Sequence, residues 1–183
     1  MKGIIPICLM EMVMAKFGED NLLPILKEAQ IYNKNYLQFL PIEDVPDADV
    51  LNMFNATCSV LDISLEQAAE DFGEFFCVTY APKIYAPYFK NVTRAKDFLL
   101  KMQNIHERVT RTILNANPPK FEYIDEAPNH LIMKYFSNRN LQPIWIGLIK
   151  GVGIAFNEKL DIKFVDNNTV EIIFTAADDS TSQ

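Results

Sequence analysis

Apolar residues recur at the three-to-four-residue period of a helix through the first two thirds of the chain, and at alternate positions through much of the last third. The first spacing buries one stripe of a helix, and the second buries one face of a strand. Helices are predicted over 3–17, 21–30, 47–61, 64–80 and 92–114. Ser64 with Gln67 three residues later has the spacing of a capping box, which marks a helix start. Between these helices, 39–49 (FLPIEDVPDAD) carries two prolines and four acids and reads as a solvated loop. The shorter break 81–89 (APKIYAPYF) reads as an irregular crossing segment.

Strands are predicted over 120–125 and 130–138 around an Ala127-Pro128-Asn129 turn, and over 160–165 and 170–175 around Asp166-Asn167-Asn168. A helix over 141–156 separates the two hairpins. The order is helices first and then ββαββ. It predicts an α+β fold in which an N-terminal helical part packs on a C-terminal part with a four-stranded antiparallel sheet. The tail AADDSTSQ is expected to fray, with 179–183 at its end.

Size and charge narrow the function. At 183 residues the chain is long enough for one domain with a sizeable core and short for two. It reads as a single domain over 1–183, with a helical part over about 1–63 and further helices with the sheet over about 64–178. Lys plus Arg number 17 against 24 Asp plus Glu, giving a net charge of −7 and a pI near 4.8. No basic field exists to gather phosphate backbones, so nucleic acid is not an expected partner. Glu11 interrupts the apolar start MKGIIPICLMEMVMAKF, which lacks a small-residue cleavage site after it. No apolar run approaches the ~20 residues of a membrane span, so membrane insertion is not expected. Cys8, Cys58 and Cys77 are widely spaced, odd in number and set in apolar stretches, the pattern of buried free thiols in a reducing, cytoplasmic compartment. Phosphate-binding, hydrolase-elbow and zincin motifs are absent, and Gly151-Val152-Gly153 signals little beyond close packing.

Two constellations carry chemistry. On the helix 92–114, Phe98, Leu99, Met102, Ile105, Val109 and Ile113 lie within about 60° of the Met102 direction, and His106 falls in the same sector at about 40°. The imidazole therefore faces the core. There it must hydrogen-bond both nitrogens, bind a metal, or accept the cost of an unpaired polar group, about 1–3 kcal/mol. The spacing does not choose among these.

The second constellation is Tyr135-Phe136-Ser137-Asn138-Arg139. On a strand, Tyr135, Ser137 and Arg139 share a face and span about 13 Å. A phenol, a hydroxyl and a guanidinium make one file of donors suited to carboxylates, although a solvated polar strand face has the same pattern. Taken together, the two sites suit a large apolar ligand that carries a metal and carboxylates, a description that haem meets.

His106, the following Pro118-Pro119 and the Tyr135-x-Ser137-x-Arg139 motif resemble the H-NOX (haem nitric oxide/oxygen binding) family, bacterial relatives of the haem domain of soluble guanylate cyclase. The resemblance extends through MKGII, FGEFF at 72–76 and NLQPIWIGLIKGVG at 140–153, so it covers nearly the whole chain. It implies a haem b (iron protoporphyrin IX) buried between the two parts, with His106 as the proximal iron ligand. Tyr135, Ser137 and Arg139 would hold the propionates, Pro119 would press on the porphyrin, and Ile5 would pack on it from the helical part. Met102, at the centre of the His106 stripe, joins these candidate cofactor contacts.

Oxygen-binding members of the family carry a distal tyrosine, supported by a tryptophan and an asparagine. The matching positions here are Ile144, Leu9 and Phe76, all apolar, with Leu148 one turn beyond Ile144. Bound dioxygen gains about 1.5–3 kcal/mol from a charge-assisted donor that nitric oxide does not need. The expectation is therefore nitric oxide binding, with carbon monoxide as a second ligand and oxygen excluded, unless the hydroxyl of Tyr80 reaches the iron. No cysteine follows Cys77, so the cysteine–histidine zinc cluster of some relatives is not expected.

The implied protein is a sensor rather than an enzyme. Release of His106 would let the haem relax against Pro119 and Ile5 and shift the helical part against the sheet-containing part. Because the chain ends soon after the sheet, a separate partner is expected to read the signal, and the resemblance suggests a sensor histidine kinase or a cyclic-di-nucleotide enzyme. The rivals are a haem-free acidic interaction module of the same fold and a haem peroxidase; an all-apolar distal pocket disfavours the second.

Overall fold

The computed structural model describes residues 1–31, 40–139 and 141–176. Its helical part is built from α1 (Ile4–Phe17), α2 (Leu22–Glu28), α3 (Asp47–Leu61) and α4 (Leu65–Glu74). A π-helical turn (Phe75–Tyr80) continues α4 and leads into α5 (Ala81–Ile84), α6 (Ala86–Phe89), α7 (Ala95–Leu100) and α8 (Met102–Thr110). Strands β1 (Lys120–Ala127) and β2 (His130–Phe136), helix α9 (Gln142–Ala155), and strands β3 (Glu158–Asp166) and β4 (Thr169–Ala176) complete the order. The sheet is antiparallel in the order β1-β2-β4-β3, which puts the first and third strands at its edges.

The α+β layout and the four strands stand where the periodicity places them, except that β2 stops at Phe136 short of the expected 138, and the Ser64 hydroxyl accepts from the Gln67 amide at 3.1 Å as the capping box requires. Four local readings need correction. The helix expected over 92–114 is two helices, since the backbone turns at Lys101 (φ −88°, ψ −8°) and its N–H reaches back to the Phe98 carbonyl in a tighter turn. The helix expected over 64–80 loosens into the π turn after Glu74. The crossing segment 81–89 is two single-turn helices, each opening on a proline (Pro82, Pro87) whose fixed φ suits a first turn. The expected loop 39–49 is not wholly loop: α3 begins at Asp47, Val45 is buried with its N–H on the Met1 carbonyl, and Lys2 bridges Asp44. Phe39 and the tail 177–183 lie outside the described residues.

Helix α9 organises the interior because three of its faces are apolar or bare. Trp145, Ile149 and Val152 pack on the sheet with Leu131, Met133, Tyr135, Val170, Ile172 and Phe174. Ile144 joins a second cluster made by α1, α3 and α4, which includes Leu9, Met12, Phe54 and Phe72. On the third face, Gly147 and Gly151 meet Ala69 and Gly73 of α4 backbone to backbone. A Cβ built on Gly73 would lie 1.9 Å from the Gly147 carbonyl oxygen, and one on Gly151 would lie 2.1 Å from that of Gly73. Only glycine permits this crossing.

Candidate functional site

Helix α8 presents Ile105 to the sheet-side cluster and leaves Met102 and Val109 partly buried against it. His106 lies beside them, its ring 5.4 Å from that of Phe121 on β1. Its Nδ1 is buried and has no hydrogen-bond partner. Burial holds the imidazole below its ordinary pKa, with the Pro119 backbone acting in the opposite sense, so the ring is a neutral base with an unused nitrogen. Pro119 itself is half-buried and near enough to bear on that ring.

The Tyr135 side chain faces the core from β2. It stacks on Trp145 at 4.9 Å and lies 5.9 Å from Phe121, so His106, Phe121, Tyr135 and Trp145 form one file of rings. The expected file of three donors on one strand face is not observed. β2 ends at Phe136, and the Ser137 hydroxyl accepts from the Arg139 amide at 3.2 Å, which turns the chain away from the sheet. Arg139 donates from Nε to Asp47 Oδ2 at 2.7 Å and from a terminal nitrogen to the Asn117 carbonyl at 2.6 Å. Asp47 also receives the amino group of Met1. Burial works against ionisation of Asp47, but the amino group and Arg139 outweigh it and hold the carboxyl below its ordinary range.

Between the two apolar clusters lies a seam. Phe76 and Leu148 pack against both clusters, while Ile5 borders the helical one and Met102 the sheet-side one; all four remain only partly buried although they sit between cores. Leu9 is wholly buried behind this seam, with Ile144 beside it in the same cluster. Tyr80 is buried there too, its ring 6.0 Å from Phe76. Burial and the nearby Glu11 charge push its hydroxyl up to about 12. His106 and Met102 thus lie on one side of the seam and Ile5, Leu9, Tyr80 and Ile144 on the other, with Phe76 and Leu148 along it. Ser137 and Arg139 stand beyond the end of β2.

Residues 2–164 match the haem-NO-binding family profile. The chain belongs to this family, whose members are the H-NOX domains. An oxygen-binding H-NOX domain related to soluble guanylate cyclases superposes with a TM-score of 0.81 at 22% identity, covering 100% of both chains. An alanine-to-glycine variant of the ferrous unliganded H-NOX protein of K. algicida gives 0.80 at 22% identity over 98% of each chain. An isoleucine-to-phenylalanine variant of the T. Tengcongensis H-NOX gives 0.79 at 23%, covering 95% of this chain and 97% of that one. No curated protein sequence gives a significant match.

Haem is the H-NOX cofactor, and the residues present fit it. A buried imidazole nitrogen without a protein partner, on a helix packed against an apolar cluster, has the chemistry of an axial iron ligand. Among the described residues no helix is long and apolar enough to cross a membrane. Two polar residues that contact the candidate site residues were missed from the sequence: Asp47, which sits 92 residues from its partner Arg139, and Gln103, which accepts from the Phe121 amide. No local pattern marks Asp47, whereas Gln103 stands three residues before His106 on the same helix.

Proposed function

We propose that this H-NOX chain is a ferrous haem sensor that takes nitric oxide or carbon monoxide, excludes dioxygen, and passes the signal to a separate protein. The observation that carries the reading is the buried, unpartnered Nδ1 of His106 in a domain of the haem-NO-binding family. When bound, haem would supply a ferrous centre able to take a diatomic gas.

The remaining chemistry belongs to the chain. His106 is the proximal ligand, kept neutral and ready to coordinate by its burial. Tyr135, Ser137 and Arg139 would hold the propionates; Arg139 also donates to Asp47, so a propionate would share its guanidinium with that carboxylate. Pro119, Ile5 and Met102 would pack against the macrocycle. Leu9, Phe76, Ile144 and Leu148 form a distal wall with no hydrogen-bond donor, which withholds the stabilisation that oxygen needs. Tyr80 packs beside this wall against Phe76, with Glu11 and Cys8 within electrostatic reach; a Tyr80 hydroxyl on the bound gas would restore oxygen binding. Release of His106 frees α8, and the partner that reads the change is a sensor histidine kinase or a cyclic-di-nucleotide enzyme in the cytoplasm. No residue of the distal wall offers the acid–base group of a peroxidase, so the protein is a sensor and not a catalyst.

The absorption spectrum of the purified, reduced protein tests this. A Soret band that shifts with nitric oxide and not with air is expected, and His106→Ala loses haem unless imidazole is supplied. A protein that stays colourless after haem reconstitution overturns the proposal.

A further inference from the structure

The two halves of the broken helix are held very differently. Helix α7 is anchored at both edges of the sheet. The buried Lys96 donates to Asp125 of β1 at 2.5 Å and to the Ala127 carbonyl. At the other edge, Arg94 pairs with Glu158 of β3 at 3.1 Å, and the Ala95 amide donates to the same carboxylate at 2.8 Å. After the turn at Lys101, α8 runs on with most of its residues exposed or half-buried. Gln103 supplies its hydrogen bonds to the sheet. Its side-chain oxygen accepts from the Phe121 amide at 2.8 Å, its own amide donates to the Tyr123 hydroxyl at 3.3 Å, and its side-chain nitrogen donates to Glu107 at 2.6 Å.

That arrangement bears directly on His106. The amide that Gln103 captures belongs to Phe121, whose ring lies against the imidazole. Glu107, which steadies the Gln103 amide group, is the next residue after His106. The latch also borders an open surface groove of about 470 Å³ lined by Gln103, Lys120, Phe121, Glu122 and Phe136. Water in the groove can therefore replace the bond between Gln103 and the Phe121 amide, which makes it a restraint that opens reversibly rather than part of the packed core.

We infer that Gln103 is the positioning residue of the proximal helix: it latches α8 to β1, and α8 pivots at Lys101 when the latch opens. The inference rests on the haem reading above only for its consequence, which is that the latch sets how readily His106 leaves the iron. Losing one ordinary hydrogen bond shifts such an equilibrium about 2- to 10-fold.

Three forms decide it: wild type, Gln103→Leu, and the double exchange Gln103→Glu with Glu107→Gln. The double form keeps both side-chain bonds by reversing donor and acceptor, at unchanged net charge. In the haem-free protein, hydrogen exchange at the Phe121 amide is expected to quicken in Gln103→Leu and to return to wild-type protection in the double form. In the haem-loaded protein, conversion of the six-coordinate nitric oxide complex to the five-coordinate one is expected to run about 2- to 10-fold faster in Gln103→Leu and to be restored in the double form. Equal Phe121 exchange in all three forms, or equal conversion rates in wild type and Gln103→Leu, overturns the inference. Failure of the wild type to take up haem sinks the haem reading alone and leaves the exchange experiment to decide the latch.

Discussion

Gly147→Ala tests the crossing of α4 and α9. A Cβ there would lie 1.9 Å from the Ala69 carbonyl oxygen, 2.4 Å from its carbonyl carbon and 3.0 Å from the Glu70 nitrogen. These are backbone atoms and cannot rotate away. Restoring the closest contact to the 3.4 Å of ordinary packing requires the helices to part by about 1.5 Å, which opens gaps along a seam closed on both sides by large apolar side chains. Overpacking of a core costs about 1–3 kcal/mol where side chains can yield, so a rigid collision stands at about 3 kcal/mol or above. For a chain of 183 residues, 3 kcal/mol lowers Tm by roughly 6–12 °C. Gly153→Ala is the graded comparison: its Cβ would meet the Leu160 side chain at 2.7 Å and the Glu158 carbonyl oxygen at 2.9 Å, and the first can move. Circular dichroism melts of the haem-free proteins are expected to rank wild type above Gly153→Ala above Gly147→Ala. A Gly147→Ala protein that melts within 2 °C of wild type refutes the reasoning.

Three further outcomes are expected. Ile144→Tyr, which adds a hydroxyl to the apolar distal wall, should raise oxygen retention about 10- to 100-fold with little change for nitric oxide, measured by dissociation kinetics; a wild type that already holds oxygen stably contradicts the assignment. Asp47→Asn should cost about 0.5–1 kcal/mol in urea titrations near pH 6, a modest figure because the carboxylate is 42% exposed. Since folding lowers the pKa of Asp47, its contribution is complete above the ordinary value of 3.8 and is lost as pH falls through the lower folded value. The gap between wild type and variant should therefore close in acid, and a gap that widens there is the wrong sign. Burial pushes the Cys77 thiol up to about 12 and Cys8 higher still, while Cys58 is half-buried and less raised. A thiol reagent at pH 8 should label Cys58 first and spare the other two until the protein unfolds.

Much of this fold was legible because its periods are clean. The strand spacing located β2, and the stripe through Met102 and Ile105 placed His106 toward the interior; that Tyr135 shares its face with the buried Leu131 and Met133 emerged only from the fold. Its boundaries were less visible. The turn at Lys101 changes the helix direction without interrupting the 3.6-residue spacing, so the pattern read as one helix. The end of β2 was hidden for a different reason: Ser137 and Arg139 keep the alternation going in sequence, while the Ser137 hydroxyl and the distant Asp47 bend the backbone away. At the candidate site, the apolar residues and the histidine came from spacing and resemblance, whereas Asp47 and Gln103 did not. Their roles depend on partners brought in by the fold.

The file of rings from His106 through Phe121 and Tyr135 ends at Trp145, the one tryptophan of the chain. Its indole nitrogen is buried and unpartnered, so its emission is governed by the rings it touches and not by solvent. The domain therefore carries an internal optical probe stacked directly on the tyrosine of the proposed propionate motif. Energy transfer from that indole to any chromophore occupying the seam would dim it, so fluorescence of the unlabelled protein can report cofactor loading in real time.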